Sequence, residues 1–223
     1  MKPTFDQQKL LKKYLRKNLR YSETYEEFYD HILTALSAKY TDIPFWNAVD
    51  EIIEKDFGGF EGMATIEAKY HRETMREMKR RYLDYLAAYL KFPSVIILIV
   101  ISILLYFYIK QRGLDFFSFF LLYIMMSLIP SLLNNIRYIK RGYFFRNINR
   151  SVKDDGFTWM KYIPRISIVI IGLVHYLFVR VTPDVWFKNI DPTVITIFFM
   201  VYGLHLMVYY KIFRDEYKVS IAG

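Results

Sequence analysis

The sequence predicts an all-α membrane protein, in which an N-terminal cytoplasmic helical domain precedes a bundle of four transmembrane helices. Charge is distributed unevenly: residues 1–91 carry 16 basic and 15 acidic side chains, whereas residues 92–223 have a net charge of +8 and contain the long uncharged stretches. Apolar residues in the first part recur with helical spacing, and no stretch has the two-residue period of a strand. We therefore predict a cytoplasmic domain with a long connecting helix at residues 1–91, membrane helices within residues 92–213 and a short cytoplasmic tail at residues 214–223.

Four apolar segments predict the membrane helices. Residues 92–109 and 116–133 each form a run of 18 residues without a charge, about 27 Å long as a helix, which is close to a hydrocarbon core of roughly 30 Å. The third segment reaches spanning length over residues 163–181 if Arg165 and the arginine at its other end extend their charges to the interfaces. The fourth segment lies at about residues 193–211.

Basic residues predict the orientation in the membrane. Residues 134–161, between the second and third spans, hold seven Lys or Arg side chains and two Asp. The positive-inside rule places this segment in the cytoplasm, and four spans then place both termini there as well. Because the segment joins two spans, we expect its partner to be anionic lipid rather than nucleic acid. The expected headgroup contacts are Arg137, Lys140, Arg141, Arg146 and Arg150.

Four helices are predicted before the first span. Thr4-x-x-Gln7 has the form of a capping box, and Ser22 is placed to cap a second helix. Residues 41–44 break the chain before a third helix, which we expect to end at Gly58. The fourth helix is predicted over residues 60–90.

One short stretch of the second predicted helix resembles a known family. Residues 26–32 read Glu-Glu-Phe-Tyr-Asp-His-Ile, and a basic helix precedes them while a helix ending in Phe-Gly-Gly follows. This order over residues 5–60 resembles the HAAS-type α-helical signalling domain, whose members carry a similar Glu-x-x-Asp-His-Ile stretch. The resemblance implies a bacterial protein of the cytoplasmic (inner) membrane, encoded beside a PadR-type transcriptional regulator. It implies no catalytic residues.

A stripe of methionine and tyrosine runs along the fourth predicted helix. Its members, which follow one another at spacings of three and four residues, are Met75, Met78, Tyr82, Tyr85 and Tyr89. Two interpretations stay open: the stripe packs back on the first three helices, or it binds a second copy of the chain or a cytoplasmic regulator. Met and Tyr suit adaptable protein contacts, since one repacks easily and the other combines an apolar ring with a polar tip.

No pattern predicts a catalytic, cofactor or metal site. The chain has no cysteine, and Glu27 with His31 supplies only two ligands where a metal needs three or four. A surface ion pair or helix contact is the favoured interpretation of His31. His175 and His205 lie in predicted spans, where ionisable groups are functional candidates. Their predicted depths differ by very roughly 10–15 Å, so we expect two separate polar groups and no shared metal.

These observations favour a non-enzymatic membrane regulator whose helical domain binds a cytoplasmic protein. A small transporter or channel subunit is the alternative, with a homo-oligomer as one route to a pore. A membrane enzyme that acts on lipid ranks third, because paired carboxylates and metal-binding patterns are missing from the sequence.

Overall fold

The computed structural model describes residues 3–39, 43–143, 149–178 and 190–221. These residues form eight α-helices and no strand, which confirms the all-α prediction for the described part of the chain. The helices are α1 (Phe5–Asn18), α2 (Ser22–Lys39), α3 (Phe45–Phe57), α4 (Gly59–Tyr89), α5 (Ser94–Arg112), α6 (Phe116–Lys140), α7 (Val152–Phe178) and α8 (Pro192–Ile221).

The chain divides into two compact units. Unit 1 consists of Met1–Met78 with Tyr138–Gly156, and unit 2 consists of Lys79–Arg137 with Phe157–Gly223. The division therefore falls inside α4, α6 and α7. The predicted domains follow chain order alone, whereas unit 1 also includes the connection between α6 and α7.

Unit 1 has one apolar core, formed by α1, α2, α3 and the start of α4. Leu11 and Leu15 of α1 are fully buried, as is Ile32 of α2. The predicted capping box is present at the start of α1, where Thr4 and Gln7 exchange side-chain hydrogen bonds with each other's backbone N–H. Gly58 ends α3 in the left-handed conformation with φ +72°, which a residue with a Cβ rarely adopts.

Within the described part of the chain, three helices are long and apolar enough to cross a membrane: Ser94–Arg112, Phe116–Lys140 and Pro192–Glu216. The apolar stretch of α5 is only 6% buried within the protein and that of α6 only 11%. Soluble monomers rarely expose apolar surface of this extent, which is consistent with a membrane protein. The predicted third span, residues 163–181, overlaps α7, but its last residues and most side chains of its second half lie outside the described residues.

The described helices of unit 2 pack through aromatic and branched side chains. Ile109 of α5 is buried with Ile195 and Phe199 of α8. Pro130 lies inside α6, and its carbonyl accepts a hydrogen bond from the hydroxyl of Tyr209 at 3.1 Å. This bond joins α6 to α8 within the apolar region.

The helices α6 and α7 extend beyond the two predicted spans that they contain. Within residues 134–161, which are predicted to lie between these spans, α6 continues to Lys140 and α7 begins at Val152. The start of α7 is capped: the Asp154 carboxylate accepts the Ser151 N–H at 3.2 Å, and Ser151 Oγ accepts the Lys153 N–H at 3.3 Å. Local hydrogen bonds thus start α7 before its apolar stretch.

Candidate functional sites

The methionine part of the stripe is enclosed in unit 1. Met78 is only 4% exposed, and a Cβ at Gly156 would overlap its sulfur. The Met75 sulfur lies 3.6 Å from the same position. Gly156 thus allows α7 to approach α4 at this point, where a larger residue would force the methionines to move.

The tyrosine part of the stripe makes polar contacts with α8 in unit 2. The Tyr82 hydroxyl lies 2.8 Å from Nδ1 of His205, and the Tyr85 hydroxyl donates to the Asp215 carboxylate at 2.8 Å. Burial raises the pKa of Tyr82, and the hydrogen bond to Asp215 raises the pKa of Tyr85, so both hydroxyls keep their protons at neutral pH. Tyr89 is half-buried.

An ion pair also joins α4 to α8. Arg81 Nη1 lies 2.6 Å from Glu216 Oε1, and the Glu216 side chain is only 6% exposed. The stripe residues Met75, Met78, Tyr82 and Tyr85 therefore all contact other elements of this chain. A role in binding a partner stays a prediction.

The connection between α6 and α7 binds the N-terminal helices within unit 1. Arg150 forms a single β-bridge with Tyr21, in which the Ser22 N–H donates to the Arg150 carbonyl at 2.9 Å. The Asn149 side-chain amide donates to the Leu19 carbonyl at 2.6 Å. Backbone groups at the end of α1 and the start of α2 are thus satisfied by residues more than 100 positions away along the chain.

A buried polar network holds the start of α7. The Glu23 carboxylate accepts the hydroxyl of Ser151 and the N–H of Val152. Asp154 is fully buried and lies 3.7 Å from the Arg141 guanidinium. The hydroxyl of Tyr143, whose pKa burial raises, accepts hydrogen bonds from both Arg141 and the Ser151 N–H. The negative charges of these acidic side chains offset the positive charge of the connection between α6 and α7.

Asp155 forms a second contact with the N-terminal helices. Its carboxylate accepts the Tyr21 hydroxyl at 2.6 Å and lies 3.5 Å from Arg20 and 3.4 Å from His71. Burial, together with this hydrogen bond, raises the pKa of Tyr21, so its hydroxyl stays protonated and donates at neutral pH. The Tyr21 and His71 rings stack at 5.4 Å, and Glu67 accepts the backbone N–H groups of Arg20 and Tyr21. We call this set of contacts, together with the Glu23 network and the Arg150 bridge, the connection interface.

The predicted headgroup residues have different surroundings. Arg137 is buried in unit 2, with its guanidinium 4.3 Å above the Phe157 ring, and Arg141 contacts Tyr143 and Asp154 as described. Lys140 and Arg150 are exposed, while Arg146 lies outside the described residues. Binding of lipid headgroups by these residues stays a prediction.

The two histidines of the predicted third and fourth spans lie on α7 and α8. His205 is 5% exposed and bonds Tyr82 through Nδ1, whereas its Nε2 has no hydrogen bond of ordinary geometry. The carbonyl of Met160 is the backbone group that interacts with this ring. His175 lies on α7, but its side chain is outside the described residues.

No three His, Asp or Glu side chains of the described residues are grouped closely enough to hold a metal ion. His31 lies 2.8 Å from the Asp56 carboxylate. It therefore joins α2 to α3 as a partly exposed pair.

Unit 1 also exposes a cluster of aromatic side chains. Tyr14 packs edge-on against Trp46 at 5.7 Å and against Phe60 at 5.8 Å. Trp46 and Phe60 are 39% and 45% exposed, and Leu10, one turn before Tyr14, is 51% exposed. We call Leu10, Tyr14, Trp46 and Phe60 the aromatic patch.

The connection interface is the main feature that sequence reasoning missed. One available signal was Ser151-x-x-Asp154, which has the form of a capping box and indicates the start of a helix. Nothing in the spacing of Glu23, Glu67 or Asp155 indicates that these residues meet, because their contacts join positions far apart in the chain.

Comparison with known proteins identifies no relative: no family model, no curated protein and no solved structure matches this chain.

Proposed function

We propose that this chain is a multi-pass protein of the bacterial cytoplasmic membrane with a non-enzymatic signalling or regulatory role. One observation carries the proposal: the connection between α6 and α7 belongs to the same compact unit as the N-terminal helices. Because α6 and α7 continue from this connection into apolar sequence, a shift of either helix alters contacts of the helical domain. A membrane sensor needs packed helices that can shift between two arrangements.

The same observation supports a common side of the membrane for the N-terminal helices and the connection. Tyr21 and Glu23 contact residues 149–155 directly, and α5 and α6 lie between them in the chain, so two crossings return the chain to its starting side. The basic residues of the connection favour the cytoplasm. With four spans, the C-terminal tail is cytoplasmic too.

Single-cysteine labelling tests this orientation, since the chain has no cysteine of its own. Gln111 and Lys140 are both exposed at helix ends. We expect a membrane-impermeant maleimide to label Gln111→Cys in intact cells, and to label Lys140→Cys only after the membrane is opened. Labelling of Lys140→Cys from outside would contradict the proposal.

The aromatic patch supports a protein partner for the helical domain. Exposed aromatic rings are enriched in protein interfaces, and the resemblance to HAAS domains favours a soluble regulator as the partner. A photo-crosslinking residue at Trp46 or Phe60 should give a cross-linked product in the native host. The same residue at Lys69, which is equally accessible on α4, is the control. Equal cross-linking at all three positions would contradict a specific patch.

A small transporter is the second candidate, favoured by polar groups buried in unit 2. Asn134, Tyr202 and His205 each have side-chain atoms without a hydrogen-bond partner among the described residues, and polar groups inside membrane bundles often mark a pathway. The two functions separate in purified liposomes. Substrate-dependent flux without any added protein supports the transporter, and its absence together with patch cross-linking supports the regulator.

A further inference from the structure

Arg165 of α7 contacts α6 in unit 2 and lies within electrostatic range of α8. Its Nη2 donates to Ser131 Oγ of α6 at 2.6 Å. Its charge also interacts with the phenol groups of Tyr123 of α6 and Tyr202 of α8. The guanidinium is partly buried, and none of the described carboxylates lies within ion-pair distance of it.

Two buried polar side chains of α6 and α8 have unpaired atoms. Tyr202 is 4% exposed, and its hydroxyl has no hydrogen-bond partner among the described residues. Asn134 is 1% exposed, and neither polar atom of its amide has a hydrogen-bond partner among the described residues. Asn134 follows Ser131 by three residues in α6, so the two side chains are neighbours on one helix surface.

These groups have the chemistry of an anion site. A guanidinium carries five N–H donors in a planar fork, and the bond to Ser131 uses one of them. The Tyr202 hydroxyl and the Asn134 amide add further donors. A partly buried positive charge is stabilised by a negative group nearby, and more than nine-tenths of buried polar groups in proteins are paired. One bound oxyanion satisfies both requirements.

We propose that Arg165, Ser131, Tyr202 and Asn134 form a binding site for a phosphate group. Arginine matches phosphate because two parallel N–H donors meet two oxygens. The phosphate can belong to a phospholipid headgroup or to a free phosphate ion, since Arg165 is expected near the inner end of its span. The site does not depend on the regulatory role proposed above.

Thermal unfolding of the purified full-length protein tests the site. In one arm, inorganic phosphate is added in a neutral detergent, with chloride holding the ionic strength constant. In the other arm, nanodiscs of phosphatidylcholine are compared with nanodiscs that also contain phosphatidylglycerol. A rise in Tm with free phosphate assigns the site to a soluble anion, and a rise only with phosphatidylglycerol assigns it to a lipid.

Three variants make the test specific. Arg165→Gln should abolish the rise, whereas Arg112→Gln, which changes an exposed arginine at the end of α5, should leave it unchanged. Tyr202→Phe should weaken anion binding by about tenfold or more, because it removes one hydrogen bond to a charged group. Its Tm without anion should equal that of the wild type, because the hydroxyl it removes is unpaired.

Several results would overturn the site. These are no rise in either arm, an equal rise in Arg165→Gln, and a lower Tm of Tyr202→Phe without anion, which would mean that its hydroxyl is already bonded within the protein. If Arg165→Gln does not fold, Arg165→Lys and Tyr202→Phe decide, and an unaltered phosphate response in both excludes the site.

Discussion

Replacing Tyr21 by Phe should loosen the connection between α6 and α7 from the helical domain. Tyr21 is 4% exposed, and its hydroxyl donates to Asp155 at 2.6 Å. The substitution removes this hydroxyl and leaves the ring, so the stacking on His71 at 5.4 Å is retained. The perturbation is therefore confined to one hydrogen bond of the connection interface.

The expected cost follows from the surroundings of the carboxylate. A hydrogen bond to a charged group contributes about 1.5–3 kcal/mol. Asp155 keeps Arg20 at 3.5 Å and His71 at 3.4 Å, and its side chain is 25% exposed, so water replaces part of the loss. We therefore expect about 1–2 kcal/mol, which corresponds to a population of the opened connection about 5- to 30-fold larger.

Hydrogen exchange measured by mass spectrometry on the intact protein in nanodiscs detects this opening, since exchange of protected amides follows local unfolding. Amides of residues 149–155 and the Ser22 N–H should exchange faster by that factor. Tyr25→Phe is the matched control: Tyr25 lies four residues later in α2 at 6% exposure, and no hydrogen bond of its hydroxyl is found among the described contacts. Unchanged exchange in Tyr21→Phe, or equal acceleration in Tyr25→Phe, would refute the connection interface as drawn here.

Three further outcomes are expected. Met78→Asp should destabilise unit 1 by about 4 kcal/mol or more, because it places a charge beside Gly156 at a position that is only 4% exposed. Chemical unfolding measures this loss, with Met78→Leu as the control. A mild effect would mean that the stripe is accessible to partners. Arg81→Ala should lower the free energy of unfolding by about 1–3 kcal/mol, a value between those of exposed and buried ion pairs, because the Arg81 side chain is 41% exposed and that of Glu216 is 6% exposed. A double-mutant cycle with Glu216→Gln isolates the energy of the pair. A coupling energy near zero would argue against this ion pair. The Asp115 carboxylate caps α6 by accepting the Ser118 N–H. Hydrogen bonds from the side chain of Ser118 and then from its backbone hold the pKa of Asp115 below its ordinary 3.8, so the cap contributes at pH values above 3.8 and is lost as the pH falls through the lowered pKa. Tm measured from pH 6 to pH 3 should therefore fall less for Asp115→Asn, which keeps a cap but does not titrate, and identical curves would contradict this role.

The sequence by itself determined the local structure. The Thr4 capping box, the glycine that ends α3 and the long uncharged runs act over a few neighbouring residues, so their consequences are readable without a fold. The helices α1, α3 and α4 and the three candidate spans follow these signals closely. The start of α7 was missed although its capping signal is equally local, because the apolar pattern of the span begins later.

Only the tertiary structure decided which helices and side chains meet. Tyr21 and Asp155 are 134 positions apart, and Tyr82 and His205 are 123 apart; no helical period relates residues at such separations. A basic segment between two spans has the same composition whether it contacts lipid or binds its own N-terminal domain, since both surfaces supply negative groups. The acidic side chains of Glu23, Asp154 and Asp155 acquire their partners only when three distant segments pack together, and that choice is made by the shape and burial of the folded unit.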